Sequence, residues 1–169
     1  MHTRRDNKHV PPDLKSRLVD CGNCEDADDL RTDSQAGDVD AHNLVFSWCA
    51  SNHVRIKSAD ISIAYLQGKE VDRIILYRIP KGGIPEEGVA DGAVIAARVP
   101  IYGTKDAGRG FWLRLKEVVL SEGYKLNQIV PTVFTLTKHG KIVSVMSSNV
   151  DDLLLWLSKG TRGTDAANS

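Results

Sequence analysis

A short polar turn between two apolar segments constrains the fold of this chain more than any other feature. The segment before the turn reads IVSVM (142–146), and the segment after it reads LLLWL (153–157). Apolar runs of this length on either side of a turn are typical of buried strands. The pattern therefore predicts a hairpin whose bend lifts the adjacent acids Asp151 and Asp152 to the rim of a sheet.

Other segments with β-branched residues predict further strands. VRIKSADISIAYLQG (54–68) precedes two strand candidates, RIILYRIP (73–80) and GAVIAARVP (92–100), which a turn-rich loop separates. TVFTLTKHGKIVSVM (132–146) predicts a hairpin that turns at His139-Gly140, and KSRLV (15–19) predicts a short strand.

Two segments have the helical period instead. The first covers residues 41–52, with Asp38 or Asp40 as its N-cap, and its apolar face holds Leu44, Val45 and Trp48. The second runs from Asp106 to about Glu122, with Gly123 as its C-cap. Its predicted apolar face consists of Phe111, Trp112, Leu115, Val118 and Val119. The fold class predicted from this order is α+β, with the helices packed on one face of the antiparallel sheet.

The charge distribution is uneven although the net charge is zero. The chain has 22 basic and 22 acidic residues among 169, enough length for one domain. Acids concentrate between Asp20 and Asp40, and bases between Arg98 and Lys125. Zero net charge argues against strong non-specific binding of nucleic acid, and any polyanion contact would favour the second region.

Cysteine content and hydropathy indicate an intracellular protein, cytoplasmic or nuclear, that is not secreted and not in a membrane. The three cysteines form no disulfide framework. Cys21 and Cys24 form a C-x2-C without a second ligand pair, so two ordinary thiols are favoured over half of a zinc site. No apolar run is long enough for a membrane helix, and no apolar stretch follows the basic N-terminus as in a secretory signal.

Together with Asp60, the two acids at the predicted bend could form a metal site. Adjacent acids are common in turns, so Asp151-Asp152 alone indicates little. Asp60, however, lies inside a strand-like run, where a buried charge is costly unless it is paired or bound to metal. If that strand lies beside the hairpin, the three carboxylates converge and could hold two Mg²⁺ ions about 3.5–4 Å apart. Ligand sets made only of oxygen suit Mg²⁺.

Four segments in order resemble the reverse transcriptase of copia-type LTR retrotransposons. KSRLVDCGN (15–23) is similar to a fingers segment of that family, and SADISIAYLQG (58–68) to its motif D-V-x-x-A-F-L-x-G. RVPIYGTKDAGRGFWLRL (98–115) resembles L-Y-G-L-K-Q-A-P-R-x-W, and NVDDLLL (149–155) resembles the paired-acid motif Y-V-D-D. The resemblance implies a polymerase palm that copies an RNA or DNA template-primer with dNTPs.

Carried over to this chain, the resemblance implies a metal site and a sugar contact. Asp60 and Asp151 would be the main ligands of two Mg²⁺ ions, with Asp152 in support and the backbone carbonyl of Ile61 as a further ligand. Tyr65 would lie under the sugar of the incoming nucleotide and exclude a 2′-hydroxyl. The alternative for Tyr65 is a core aromatic near a strand end.

Four basic residues are the remaining nucleotide-binding candidates. Lys15 and Arg17 would meet the triphosphate, with ordinary surface charge as their alternative. Lys105 and Arg109 flank the predicted helix start, where the helix dipole favours phosphate. Their alternative is a solvated helix end.

The chain also departs from the family pattern. Asn149 replaces the tyrosine of the paired-acid motif, Asp106 a glutamine and Gly108 a proline. The resemblance implies a partial fingers segment (15–53) and a palm (54–157), between a disordered N-terminus (1–14) and a disordered tail (158–169). A thumb and an RNase H domain, which the family carries in the same polyprotein, have no counterpart in these residues.

These departures predict weak or no polymerase activity for the chain alone. One alternative is a catalytically dead remnant of a retroelement. A second, from a different class, is a ferredoxin-like RNA-binding module, which exposed sheet aromatics would favour. The low aromatic content of 6% speaks against that module.

Overall fold

The computed structural model describes residues 2–3, 14–15, 19–24, 29–37, 39–70 and 73–158. The predictions for Arg17 and Asp38 lie outside these residues, as do most of the predicted disordered N-terminus and tail. Within the described ranges, no helix is long and apolar enough to cross a membrane.

Nine strands and two α-helices are present in the described residues, so the chain is a mixed α and β fold. The strands are β1 (His2–Thr3), β2 (Leu14–Lys15), β3 (Lys57–Asp60), β4 (Ile75–Arg78), β5 (Val94–Ala97), β6 (Lys125–Leu126), β7 (Val133–Lys138), β8 (Lys141–Asn149) and β9 (Asp152–Leu157). The helices are α1 (Val39–Ser51) and α2 (Ala107–Ser121). Strands β1 and β2 pair with each other, so the strand predicted over 15–19 includes Lys15 but begins one residue earlier.

The main sheet is antiparallel and has the strand order β3-β9-β8-β7-β6. Its two central hairpins are those predicted from the sequence. The β7–β8 hairpin turns at His139 and Gly140, both with positive φ (50° and 73°), which is the backbone of a type I′ turn. The β8–β9 hairpin turns at Val150 and Asp151, so the prediction of a bend at the acidic pair is confirmed.

Helix α2 packs on one face of this sheet. Its buried residues Phe111, Trp112 and Leu115 contact Phe134 of β7 and Met146 of β8. Val118, predicted for the same face, is instead 43% exposed because the buried arc continues through Val119. Gly123 follows the helix with a φ of 84°, as expected for a left-handed C-terminal residue.

Helix α1 packs on the opposite face, so the prediction that both helices share one face is wrong. Its core contains Val133 and Val145, each adjacent in sequence to a residue of the α2 core. Because successive strand residues point to opposite faces, both faces of these strands are apolar and each needs a helix to cover it.

The details of α1 also differ from the prediction. Ala41, Val45 and Cys49 form its buried stripe, whereas Leu44 is 43% exposed. Trp48 packs at the edge of that stripe, with its ring centroid 4.8 Å from that of Trp156. Since α1 begins at Val39, Asp40 lies in its first turn and is not the N-cap.

The two predicted strands over 73–80 and 92–100 form β4 and β5, a separate antiparallel ribbon. Ile75 and Tyr77 are buried on one side of this ribbon. The strand predicted over 54–68 is shorter than expected. It ends at Asp60 and is followed by a 3-10 helix, Ala64–Gln67, because Ile63 has a left-handed backbone (φ 51°) that stops the extended conformation.

Candidate functional site

The bend between β8 and β9 carries Asp151, and the strand that follows begins with Asp152. Val150, the first residue of the bend, has a φ of 53°, which is uncommon for a β-branched residue. The backbone N–H of Ile61 donates a hydrogen bond of 2.9 Å to the carbonyl oxygen of Asp151. The end of β3 is therefore tied directly to the bend that holds the acidic pair.

Asp60 and Asp152 are brought together by strand pairing. They are direct partners in the antiparallel register of β3 and β9, and both are exposed. Partners directly opposite each other point to the same face, with Cβ atoms about 4.5–5.5 Å apart. By the alternation along β9, that face is the one on which Trp156 packs against α1.

The charge of Asp151 acts on a different residue, Tyr65. Burial raises the pKa of the Tyr65 phenol, and the negative charge of Asp151 and the nearby Tyr102 raise this pKa further. Tyr65 belongs to the aromatic packing on the α2 side of the sheet. The negative charge in the bend is thus felt by the tyrosine predicted to meet the sugar.

The carboxylates are suitable donors for a divalent ion, but their side chains do not form one ready-made group. Among the residues that the structure describes, no three His, Cys, Asp or Glu side chains lie where they could hold a metal ion together. Asp60 and Asp152 form a pair on one face, and Asp151 is adjacent in the bend. A site for Mg²⁺ would use the exposed pair and would need Asp151 to turn toward it.

The predicted basic contacts are dispersed. Lys15 lies in β2, and Lys105 is exposed just before α2. Arg109, in the first turn of α2, is only 22% exposed and forms an ion pair of 2.6 Å with Asp33. Asp33 also accepts two hydrogen bonds from Arg31, of 3.0 and 2.9 Å. The structure therefore gives the Arg109 guanidinium a partner from the acidic segment of the chain itself.

Asp106 has a partner that sequence reasoning missed. The guanidinium of Arg73 donates to both of its carboxylate oxygens, at 3.1 and 3.0 Å, and Asp106 is only 8% exposed. Such a two-pronged contact satisfies a carboxylate that would be costly to bury alone. The only signal in the sequence was an acid at a position where the family pattern has a glutamine.

The structure also gives a reason for glycine at position 108. A side chain built there would crowd Ser34, with the added Cβ 3.1 Å from its Oγ. The proline of the family pattern would therefore require the side chain of Ser34 to shift by a few tenths of an ångström. Both departures at the start of α2 thus fit contacts that this chain makes with itself.

A cavity of about 290 Å³ lies beside these contacts. It is lined by Leu30, Arg31, Lys69, Glu70, Arg73, Asp106, Arg109, Gly110 and Leu113. The carboxylates Asp60, Asp151 and Asp152 are not among its lining residues, so the cavity is separate from the candidate metal site.

Comparison with known proteins finds two distant relatives. The chain is 30% identical over 100 residues to the retrovirus-related Pol polyprotein from transposon RE2 of Arabidopsis thaliana, covering 59% of this chain and 7% of that protein. It is 29% identical over 100 residues to the retrovirus-related Pol polyprotein from transposon RE1 of the same plant, covering 59% of this chain and 6% of that protein.

The chain therefore spans less than a tenth of the length of these curated relatives. No family model and no solved structure matches it. The distant homology supports an origin of this chain in the Pol polyprotein of a retrotransposon.

Proposed function

We propose that this chain is a fragment of a copia-type reverse transcriptase, with a divalent metal site formed by Asp60, Asp151 and Asp152. The observation that carries the proposal is the direct pairing of Asp60 with Asp152 beside the bend that holds Asp151. These acids come from segments about 90 residues apart in sequence, and the resemblance to the family concerns the same segments.

The proposed reaction is addition of a dNTP to the 3′-hydroxyl of a primer on an RNA or DNA template. Asp60, Asp151 and Asp152 would hold the ions, and the carbonyl of Ile61 would be a further ligand. Two bound Mg²⁺ ions would supply activation of the 3′-hydroxyl and charge neutralisation at the leaving pyrophosphate. Tyr65 would limit the space at the 2′ position of the sugar, as the family resemblance implies.

The proposal includes weak or absent polymerase activity for the chain alone. A thumb and an RNase H domain from a longer polyprotein are the partners that would grip the template-primer. The chain contributes little general attraction for phosphate, since its net charge is zero. In addition, the guanidinium groups of Arg73 and Arg109 are engaged by Asp106 and Asp33.

The experiment measures binding before it measures catalysis. The full chain is titrated with a dNTP in the presence and absence of Mg²⁺ or Mn²⁺, and primer extension is assayed in parallel. We expect nucleotide binding that depends on the metal and is lost in Asp151→Asn and Asp60→Asn, with little extension. Asp91→Asn, in the exposed loop between β4 and β5, is the matched control.

Two results would change this view. Clear primer extension that Asp151→Asn abolishes would show that the chain alone is an active polymerase. No metal-dependent nucleotide binding would favour the second candidate, a catalytically dead remnant. The engagement of Arg109 by Asp33 is the observation that favours this candidate, because it occupies a cation that the family resemblance assigns to the nucleotide.

A further inference from the structure

The cavity of about 290 Å³ beside α2 is rich in positive charge. Its walls come from the acidic segment 29–37, from the start of α2 and from the stretch that follows the 3-10 helix Ala64–Gln67. Its volume is near the lower end for small-molecule sites, about 300 Å³. Among its described lining residues, four are cations and two are acids, although the whole chain has no net charge: Arg31, Lys69, Arg73 and Arg109 against Glu70 and Asp106.

Backbone contacts hold the Lys69 wall against α2. The N–H of Lys69 donates a 3.1 Å hydrogen bond to the carbonyl oxygen of Gly110. The preceding residue, Gly68, packs so tightly that an added Cβ would lie 3.1 Å from the backbone nitrogen of Phe111. The ammonium group of Lys69 therefore extends from a backbone that is fixed beside the helix.

On the opposite wall, two guanidinium groups share one carboxylate. Arg31 donates to the two oxygens of Asp33 at 3.0 and 2.9 Å, and Arg109 binds one of these oxygens at 2.6 Å. Because one carboxylate carries a single negative charge, it neutralises only one of the two guanidinium groups. Asp33 thus shows how an anion meets both of them at once.

Lys69 shares its acidic partner in the same way. Its ammonium group and the guanidinium of Arg114 both contact one oxygen of Glu117, at 3.3 and 3.2 Å. Lys69 can turn toward an anion without leaving Glu117 alone, because Arg114 still holds that carboxylate. The exchange costs little, since exposed ion pairs of this kind are weak.

Arg73 contributes less to this excess of positive charge. Its two-pronged contact with Asp106 makes a pair that is neutral as a whole. The excess therefore comes from Arg31, Lys69 and Arg109. Arg31 and Lys69 lie outside the four segments that resemble the retrotransposon family, so the resemblance does not assign this cavity a role.

The charges favour phosphate over a carboxylate ligand. A terminal phosphate group carries up to two negative charges and offers three oxygens, whereas a carboxylate offers one charge and two oxygens. The planar fork of a guanidinium group matches the oxygens of phosphate. A dianion would neutralise both Arg31 and Arg109, which Asp33 alone does not.

We propose that this cavity binds a terminal phosphate or pyrophosphate group, which takes the place of Asp33 between Arg31 and Arg109 and gains Lys69 as a third contact. The site is separate from the proposed metal site, since the carboxylates of Asp60, Asp151 and Asp152 do not line it. Free pyrophosphate and the 5′-phosphate end of an oligonucleotide share this chemistry.

The test measures binding to the full chain by titration calorimetry with EDTA present, so that no metal site takes part. One arm uses pyrophosphate. The other compares a trinucleotide that carries a 5′-phosphate with the same trinucleotide without it. In parallel, NMR follows the amides of Ser34 and Gly108, which lie where segment 29–37 meets α2.

The expected pattern has opposite signs in different variants. Arg31→Gln and Arg109→Gln should each weaken binding by about 10-fold or more, as expected for lost charge-assisted hydrogen bonds. Asp33→Asn should strengthen binding by about 2- to 5-fold, because it removes the competing charge. A partly unfolded variant would not bind more tightly, so this gain cannot come from damage to the fold. Arg55→Gln is the matched control, since Arg55 is exposed and does not line the cavity.

Binding of either phosphorylated probe with this pattern supports the proposal, and the two arms show which source of phosphate the cavity accepts. Three results would overturn it: no binding of pyrophosphate or of the phosphorylated trinucleotide, equal binding of the trinucleotide without phosphate, or binding that Arg31→Gln and Arg109→Gln leave unchanged. Because metal is absent throughout, each of these outcomes is independent of the proposed polymerase site.

Discussion

Asp60 lies directly opposite Asp152 in the antiparallel pairing of β3 and β9, so two exposed carboxylates share one face at the end of the main sheet. Like charges directly opposite each other destabilise a sheet, by about 0.2–1 kcal/mol. A bound divalent cation would reverse this effect.

The first prediction concerns these two acids. Asp152→Asn should raise the free energy of unfolding by about 0.5 kcal/mol when divalent ions are removed by chelation. Mn²⁺ should raise the melting temperature of the unaltered chain because it binds the folded state, and this rise should be lost in Asp152→Asn. Urea unfolding and thermal scans measure both effects. If Mn²⁺ raised the melting temperature of Asp152→Asn as much as that of the control Asp91→Asn, metal binding at the pair would be contradicted.

The ion pair of Arg73 and Asp106 should be a large contribution to stability. Their side chains are 27% and 11% exposed, so each would be left partly buried without its partner. Asp106→Ala should cost about 3 kcal/mol, and Arg73→Lys should cost less but lose the two-pronged geometry. Urea unfolding of both single variants and of the double variant measures the coupling. If Asp106→Ala lowered the free energy of unfolding no more than the exposed Asp91→Ala does, the large contribution of this ion pair would be refuted.

Relief of the backbone strain at Ile63 should increase the stability of the fold. A β-branched residue with a φ of 51° costs about 1–2 kcal/mol relative to a residue that tolerates this region. Ile63→Asn should therefore raise the melting temperature. Ile129→Asn is the matched control, since Ile129 is 90% exposed and has no positive φ. Equal shifts in the two variants would show that the gain comes from removing an exposed apolar side chain.

The contact between Asp33 and Arg109 should depend on pH. Hydrogen bonding from Arg31 and the charge of Arg109 lower the pKa of Asp33 from its usual 3.8. The contact is therefore complete above about pH 4 and should be lost as the pH falls through the lower folded value. NMR shifts of the Ser34 and Gly108 amides report it. Asp33→Asn should give the acid pattern already at neutral pH, and high salt should weaken the contact.

Cys49 should be protected from alkylation by the fold. It lies on the buried face of α1 and is 1% exposed. Burial raises the pKa of its thiol above 9.0. Its contribution to stability is thus present below about pH 9 and lost as the pH rises through the folded value. Two variants are compared, one that keeps only Cys49 and one that keeps only Cys21, with the other cysteines replaced by Ser. Cys49 should be alkylated more than about tenfold more slowly than Cys21. Equal rates would mean that α1 does not stay packed on the sheet.

The elements that the sequence determined are those defined by neighbouring residues. Alternation and turn residues predicted the hairpins at His139-Gly140 and at Asp151, and helical period predicted α2, because each depends on contacts within about 15 residues. Metal binding by Asp60, Asp151 and Asp152 is still a prediction, as are the roles of Ile61 and Tyr65.

Only the tertiary structure decided which groups meet across the chain. The position of α1 on the second face of the sheet depends on both faces of β7 and β8 being apolar, and the pattern of α1 itself does not reveal which face it covers. Likewise, Arg73 meets Asp106 across 33 residues, and Asp60 lies opposite Asp152 because of strand register. Register is set by the packing of the whole sheet, since a slip of one residue would turn every side chain of β3 to the other face.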